Sequence, residues 1–267
     1  MARPPKEQTT AVTNWDEEMA RQAAAAAKQE AHVGGGKFFS TRAGVLACDG
    51  QQQPNNEMVV VIVDGILENV WYAGKFDPDN IESPACFAFG REDPEMEPHA
   101  VVKAHGTAQS ETCSACPKNE FGSSDTGRGK ACQNRRRLAL LPGGKVDPRT
   151  REFTAELGEG HYTNTEMRYL KVPPTSLGAY AAYVKQLAGG LKRPPHGVFT
   201  KVTLRPHATK QFEMLFEAVA PVPGQVLGAI MERHARERDV IDFPYQPGSA
   251  EPAPKAAAPT GRKFQRR

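Results

Sequence analysis

The chain has 267 residues, 39% of them hydrophobic, and a formal net charge of +3. That length supports one sizeable core, and the mild charge identifies no nucleic-acid partner unless basic residues cluster locally. No stretch reaches the roughly 18 apolar residues of a membrane span, and the N-terminus lacks the layout of a signal peptide. We therefore expect a soluble, cytoplasmic protein with no membrane partner.

The first predicted elements are a helix and three strands. Asn14 can cap a helix that contains Trp15, Met19 and the alanines 23–27, and the glycines 34–36 end it. We therefore expect residues 1–36 to form a helix with a glycine hinge. Short β-branched and aromatic segments follow, and they predict strands at 38–46, 58–63 and 66–76.

Residues 77–131 lack regular periodicity and are dense in Pro, Gly, Ser, Asp and Cys. A structureless stretch of that length is improbable in a compact domain unless something other than a hydrophobic core orders it. We predict that a metal ion orders an insertion at about 83–137 within a core domain of residues 37–244.

The pattern becomes regular again after Cys132. It predicts strands at 137–141 and 166–172, a hairpin of 198–204 with 212–216, and a last helix at 225–238. Between them, Pro173 to Ser176 opens a helix in which Leu177, Tyr180, Val184 and Leu187 recur at helical spacing. From residue 245 to 267 the composition collapses to Pro, Ala, Gly, Lys and Arg, which predicts a disordered basic tail.

The cysteines indicate a structural zinc site. In a reducing compartment clustered thiols are typical metal ligands, and Cys113-x-x-Cys116 followed by Cys132 has the spacing of such sites. Cys86 is the favoured fourth ligand and His105 is the alternative. Cys48 lies in a strand-like segment apart from the cluster and is expected to be a small buried apolar residue.

The same region carries cations and aromatic rings. A zinc loop that rigidifies basic side chains presents them to phosphates, and nearby rings can stack on bases. The solvated face of an ordinary zinc ribbon and the hydrophobic core are the alternative roles for these residues. The predicted nucleic-acid contacts are Trp71, Tyr72, Lys118, Phe121, Arg128, Lys130, Arg135, Arg136 and Arg137.

Two stretches resemble a group of phage and prophage proteins. One runs from Cys113 to Ser124 and resumes at Gly129 through Cys132 to Leu138, and the other comprises 172–177 with 183–184 and 198–200. The layout is similar to that of the OB-fold helix-destabilising proteins of T-even phages, over roughly residues 37 to 220. The resemblance implies an α+β, mainly β fold, namely a small OB-like barrel with a zinc-loop insertion beside a single-strand groove and two or three flanking helices.

These observations predict a single-stranded DNA-binding protein that supports replication or recombination, in the host cytoplasm if phage-encoded. RNA is the alternative polymer, and replication or recombination proteins are further expected partners. A second hypothesis is a zinc-stabilised protein–protein adaptor without nucleic-acid binding. We expect no enzyme activity, because no cluster of Asp, Glu and His has the spacing of a metal-dependent active site.

Overall fold

The computed structural model describes residues 15, 18–19, 21–22, 37–74, 82–147, 149–208 and 210–245. The chain divides into two compact units, residues 1–35 and 36–267. In the first unit the described residues are helical, within the stretch where the sequence predicts a helix. The rest of that helix, the end of the predicted strand 66–76 and the tail from 246 onward lie outside the described residues.

Strands make up most of the second unit. Its helices are α1 (Ala100–Ala104), α2 (Glu159–Asn164), α3 (Leu177–Gln186), which continues as a π-helical turn at Leu187–Leu191, and α4 (Gly224–Glu237). The strands are β1 (Ala47–Cys48), β2 (Gln51–Gln52), β3 (Glu57–Trp71), β4 (Cys86–Gly90), β5 (Gln133–Pro142), β6 (Gly144–Val146), β7 (Phe153–Ala155), β8 (Arg168–Val172), β9 (Val198–His207) and β10 (Gln211–Pro221).

A six-stranded antiparallel sheet of order β10-β9-β3-β5-β8 organises this unit, with β4 also paired to β3. The long strand β3 unites the two predicted strands at 58–63 and 66–76. One edge of β3 pairs with β5, while the other edge pairs first with β9 and then, at Leu67–Trp71, with β4. The end of β3 therefore carries β4 and the cysteine region that adjoins it.

Both faces of the sheet are buried. On one face α3 packs against Met58, Val60 and Ile62, and on the other α2 and α4 pack against Val61 and Val63. The unbroken apolar run from 58 to 63 suits a strand that is covered on both sides. A register shift between Ile62 and Asp64 exchanges the sides to which odd- and even-numbered residues of β3 point. After the shift, the even-numbered residues lie on the face that α2 and α4 cover.

The α+β, mainly β class is confirmed, but the sheet is open in the described residues. β8 and β10 are its two ends and do not pair with each other. Outside β8, the backbone N–H of Phe39 donates to Tyr169 O at 2.7 Å. A closed barrel must keep one face of its sheet inside. Here helices cover both faces, so the predicted closure does not form.

Several local predictions agree with the structure and others differ. The predicted helices at 176–187 and 225–238 and the predicted hairpin correspond to α3, α4 and β9–β10. The predicted strand 38–46 is wrong, because a 3-10 turn at Arg42–Gly44, with φ of 52° at Ala43, interrupts the extended backbone. Among the described residues, none of the helices has the length and the apolar composition of a membrane-spanning segment.

Candidate metal centre and nucleic-acid interface

Four of the cysteines line one narrow pocket at the end of β3. Cys86 is the first residue of β4, Cys113 and Cys116 belong to the connection between α1 and β5, and Cys132 directly precedes β5. Cys113, Cys116 and Cys132 are buried, and Cys86 is half-buried. The fold thus brings together residues that are up to 46 positions apart in the numbering.

Backbone hydrogen bonds shape the chain around this pocket. The N–H of Cys132 donates to Lys118 O at 2.7 Å, and the N–H of Asn119 donates to Cys116 O at 2.8 Å. The side-chain amide of Asn119 donates to Cys113 O at 2.8 Å. These bonds close the loop between Cys116 and Cys132, although most of its residues are exposed.

The alternative ligand His105 lies elsewhere. It follows the last residue of α1, it is exposed, and it does not line the pocket. Cys48 ends β1 and is half-buried, away from the other four thiols. The predicted cluster of Cys86, Cys113 and their partners is therefore the group that shares one environment.

Burial and mutual repulsion raise the pKa of three of these thiols, those of Cys86, Cys113 and Cys132. Burial raises the pKa of Cys86 and of Cys113, and the neighbouring thiols act in the same direction. For Cys132, burial first and then the three other cysteines raise the pKa to about 12. Several thiolates in one partly buried pocket repel one another and are poorly solvated, which is unfavourable unless a cation compensates their charge.

The pocket supplies the donor type that zinc prefers, and the free space at its centre is comparable to one water molecule or one ion. However, within the described ranges no group of three or more His, Cys, Asp and Glu side chains is already arranged to hold a metal ion. The donor number and type fit zinc, and the coordination geometry is not preformed. Zinc binding therefore stays a prediction.

A cation and an aromatic ring meet at the rim of the same pocket. Lys118 Nζ lies 5.1 Å from the centroid of the Trp71 ring, and both residues line the pocket. Next to them, the Asn134 side-chain amide donates to Asn69 Oδ1 at 2.6 Å and to Asn119 Oδ1 at 3.0 Å. This polar network links the end of β3, the start of β5 and the cysteine loop.

The other predicted cations do not form one continuous patch. Arg128 and Lys130 are exposed on the cysteine loop, where Lys130 Nζ donates to Asn119 Oδ1 at 3.1 Å. Arg135 and Arg136 are neighbours on β5 and therefore point to opposite faces of the sheet. Arg136 lies on the same face as the cysteine pocket, 5.6 Å from the ring of Tyr180 on α3.

The prediction that Arg137 contacts phosphate is wrong. Its side chain is 1% exposed and forms a salt bridge of 2.6 Å with Glu68, which is fully buried. Arg137 also lies 4.3 Å from the ring centroids of Phe89 and Phe243. β5 alternates, and Arg137 shares with Ala139 and Leu141 the face that α2 and α4 cover.

The remaining two aromatic predictions have different surroundings. Tyr72 is half-buried and packs against the small cluster of Val70, Phe87 and Val102. Phe121 is 84% exposed on the cysteine loop. Of the two, only Phe121 has a ring that is open to a partner, whereas Tyr72 helps to hold the end of the sheet.

Comparison with known proteins adds no relative that could assign this site. No protein-family model, no curated protein and no solved structure matches the chain.

Proposed function

We propose that this protein binds single-stranded DNA at the surface formed by Trp71, Lys118 and the cysteine loop, and that a structural zinc ion on Cys86, Cys113, Cys116 and Cys132 stabilises that surface. The observation that carries the proposal is the contact of Lys118 with the Trp71 ring at the rim of a pocket that four cysteines line. The resemblance to phage helix-destabilising proteins supports a role in replication or recombination.

The physical argument starts from the loop. Lys118 lies between Cys116 and Cys132, and its carbonyl accepts the Cys132 N–H. An ion bound by these thiols would fix the backbone from which Lys118 extends, so that less ordering entropy is lost when DNA binds. The exposed Arg128 and Lys130 belong to the same loop and would add phosphate contacts.

The Trp71 ring provides the second half of a single-strand site. Stacking on an aromatic ring contributes about 1–3 kcal/mol per base and tolerates any sequence. A cation beside that ring suits the phosphate that accompanies a stacked base. Affinity should therefore depend little on base sequence and strongly on salt.

The test is a salt titration of binding to single-stranded and double-stranded oligonucleotides, with zinc content measured on the same sample. We expect preference for the single strand, quenching of Trp71 fluorescence, and a linear fall of log affinity with log salt concentration. A metal-free folded protein would refute the zinc assignment. Binding that is absent or insensitive to salt would refute the DNA assignment.

One observation favours the adaptor hypothesis as a second candidate. Phe121 exposes an apolar ring on the cysteine loop, and exposed aromatic residues are frequent anchors of protein interfaces. Nuclease treatment before affinity capture separates the two functions, because an adaptor would retain its partner and a DNA-mediated association would be lost. If the Phe121 ring anchors a protein partner, Phe121→Ala should weaken the capture of the partner that remains bound after nuclease treatment, and it should weaken no other interaction.

A further inference from the structure

Three asparagine side chains connect the sheet with the cysteine pocket through hydrogen bonds. Asn69 of β3 and Asn134 of β5 are cross-strand partners, and Asn119 ends the 3-10 turn Pro117–Asn119 that follows Cys116. Asn69 and Asn119 line the pocket. We call these three residues the asparagine network.

The orientation of all three amide groups follows from the contact of Asn119 with Cys113. The carbonyl of Cys113 can only accept, so Asn119 presents its Nδ2 there, at 2.8 Å, and turns its Oδ1 away. That oxygen accepts from Lys130 Nζ at 3.1 Å and from Asn134 Nδ2 at 3.0 Å. Asn134 Nδ2 also donates to Asn69 Oδ1 at 2.6 Å. The oxygen of Asn69 therefore faces Asn134, and its Nδ2 group is directed to other partners.

The Nδ2 group of Asn69 donates to two sulfur atoms. It lies 3.7 Å from Met96 Sδ, and it donates to the thiol of Cys113, where this hydrogen bond acts against the burial that raises the pKa of the thiol. Asn69 is 3% exposed, so bulk water offers it no better acceptor. A thioether and a neutral thiol are weak acceptors, whereas a charged acceptor makes a hydrogen bond about twice as strong. The buried amide is therefore fully satisfied only when Cys113 is negatively charged, as a cysteine bound to a metal ion is.

Packing alone does not explain an amide at this position of β3. Leu67 lies on the same face of the strand and packs against Met96 and Cys113. An apolar side chain at position 69 would extend that cluster, whereas a buried amide has to be compensated by hydrogen bonds. A second thiol of the pocket has an N–H donor too, because the backbone of Gln109 donates to Cys86, again against the burial that raises the pKa of that thiol. Cys86 and Cys113 thus both receive hydrogen bonds of the kind that stabilise metal-bound sulfur.

We propose that Asn69 is a positioning residue of the zinc site, which donates a hydrogen bond to the metal-bound sulfur of Cys113 and, through the rest of the asparagine network, holds the cysteine loop against the sheet. Asn119 directly follows Lys118, so the network fixes the backbone from which this lysine extends. The inference rests on the proposed function and deepens it, because the surface of Trp71 and Lys118 then depends on a residue that binds neither zinc nor DNA.

The test compares Asn69→Leu with Ser176→Ala in the full chain. Asn69→Leu removes the donor to Cys113 and adds an apolar side chain to the cluster of Leu67. Ser176→Ala removes a different buried hydrogen bond, which Ser176 Oγ accepts from Met214 N at 3.1 Å outside the pocket. In a titration against a zinc-chelating dye, Asn69→Leu should bind zinc about 10–100-fold more weakly, and Ser176→Ala should keep the wild-type affinity.

A spectroscopic measurement separates this role from a general loss of stability. In the cobalt-loaded protein, the sulfur-to-cobalt charge-transfer band should move to longer wavelength in Asn69→Leu, because the Cys113 thiolate loses the donor that stabilises its electrons. Ser176→Ala should leave the band in place. An unchanged zinc affinity or an unchanged band in Asn69→Leu, or equal changes in both variants, would overturn the inference.

A measurement on the unmodified protein covers the case in which Asn69→Leu does not fold. In the full chain loaded with an NMR-active cadmium isotope, the side-chain amide protons of Asn69 should show scalar coupling to the metal through the Cys113 sulfur. A cadmium-loaded protein without this coupling would overturn the role of Asn69 and leave the four-cysteine ligand set intact. A folded wild-type protein that takes up neither zinc nor cadmium would overturn the ligand set, and the inference with it.

Discussion

Replacing Arg137 tests whether this residue serves stability rather than nucleic-acid contact. Arg137→Met removes the partner of a fully buried carboxylate, the hydrogen bonds to the carbonyls of Ile241 and Phe243, and the cationic contact with the Phe89 and Phe243 rings. Breaking a buried ion pair on one side costs about 3–5 kcal/mol, because the remaining charge stays buried without compensation. For a unit of this size the midpoint of thermal unfolding should fall by about 6–20 °C.

The environment of Glu68 explains why the cost should be large. Among the described residues, its Oε2 is the buried side-chain nitrogen or oxygen that has no hydrogen-bond partner. Without Arg137, Tyr245 is the neighbour left to donate to this carboxylate. Glu68→Gln on the Arg137→Met background removes the stranded charge, and the double variant should recover roughly half of the loss.

Urea unfolding followed by circular dichroism measures each free energy of unfolding. Arg136→Met is the matched control, because it removes a neighbouring arginine that is only partly buried and contacts Tyr180 on the other face. Its cost should stay below about 1 kcal/mol. If Arg137→Met costs no more than this control, or if the Glu68 change adds to the loss instead of offsetting it, the buried pair does not stabilise the protein in the way described.

Three further predictions concern the site and its surroundings. Cys116→Ser should lose zinc and unfold at least the region 83–137, whereas Cys48→Ser should keep its metal; equal zinc content by mass spectrometry in both variants would contradict the ligand set. Trp71→Ala should weaken single-strand binding by about 1–3 kcal/mol in a fluorescence titration with a labelled oligonucleotide, while Trp15→Ala should leave it unchanged. Burial raises the pKa of Glu237 above its ordinary value of 4.5, so its ionised form reduces stability as pH rises through and above that value. Glu237→Gln should therefore be more stable than wild type at pH 7 and lose that advantage near pH 4; a constant difference across this range would argue against the raised pKa.

The cysteine site shows how far local sequence signals reach. The spacing of Cys113, Cys116 and Cys132 predicts a shared site, because a short spacing constrains where neighbouring thiols can lie. Whether Cys86 or His105 is the fourth predicted ligand depends on which of the two lies next to the cysteine loop in the folded protein. β4 pairs with the end of β3 and carries Cys86 there, while His105, which follows α1, is exposed.

The arginines also show that local sequence signals do not determine which side chains are exposed. Three consecutive arginines form one patch in the sequence, yet strand alternation puts Arg136 on the opposite face from Arg135 and Arg137. Of these last two, Arg137 is buried and Arg135 is partly exposed. The contacts of Arg137 with Glu68, Phe89 and Phe243 were not predicted, because these residues belong to distant parts of the chain.

The sequence by itself determined the elements whose periodicity is local, namely α3, α4 and the β9–β10 hairpin, together with the mainly β class. The tertiary structure decided that the sheet stays open, that helices cover both of its faces, and that Arg137 is internal. The physical reason is that hydrophobic periodicity reports which side of an element is buried, whereas the partner that buries it is chosen by contacts between segments far apart in the chain.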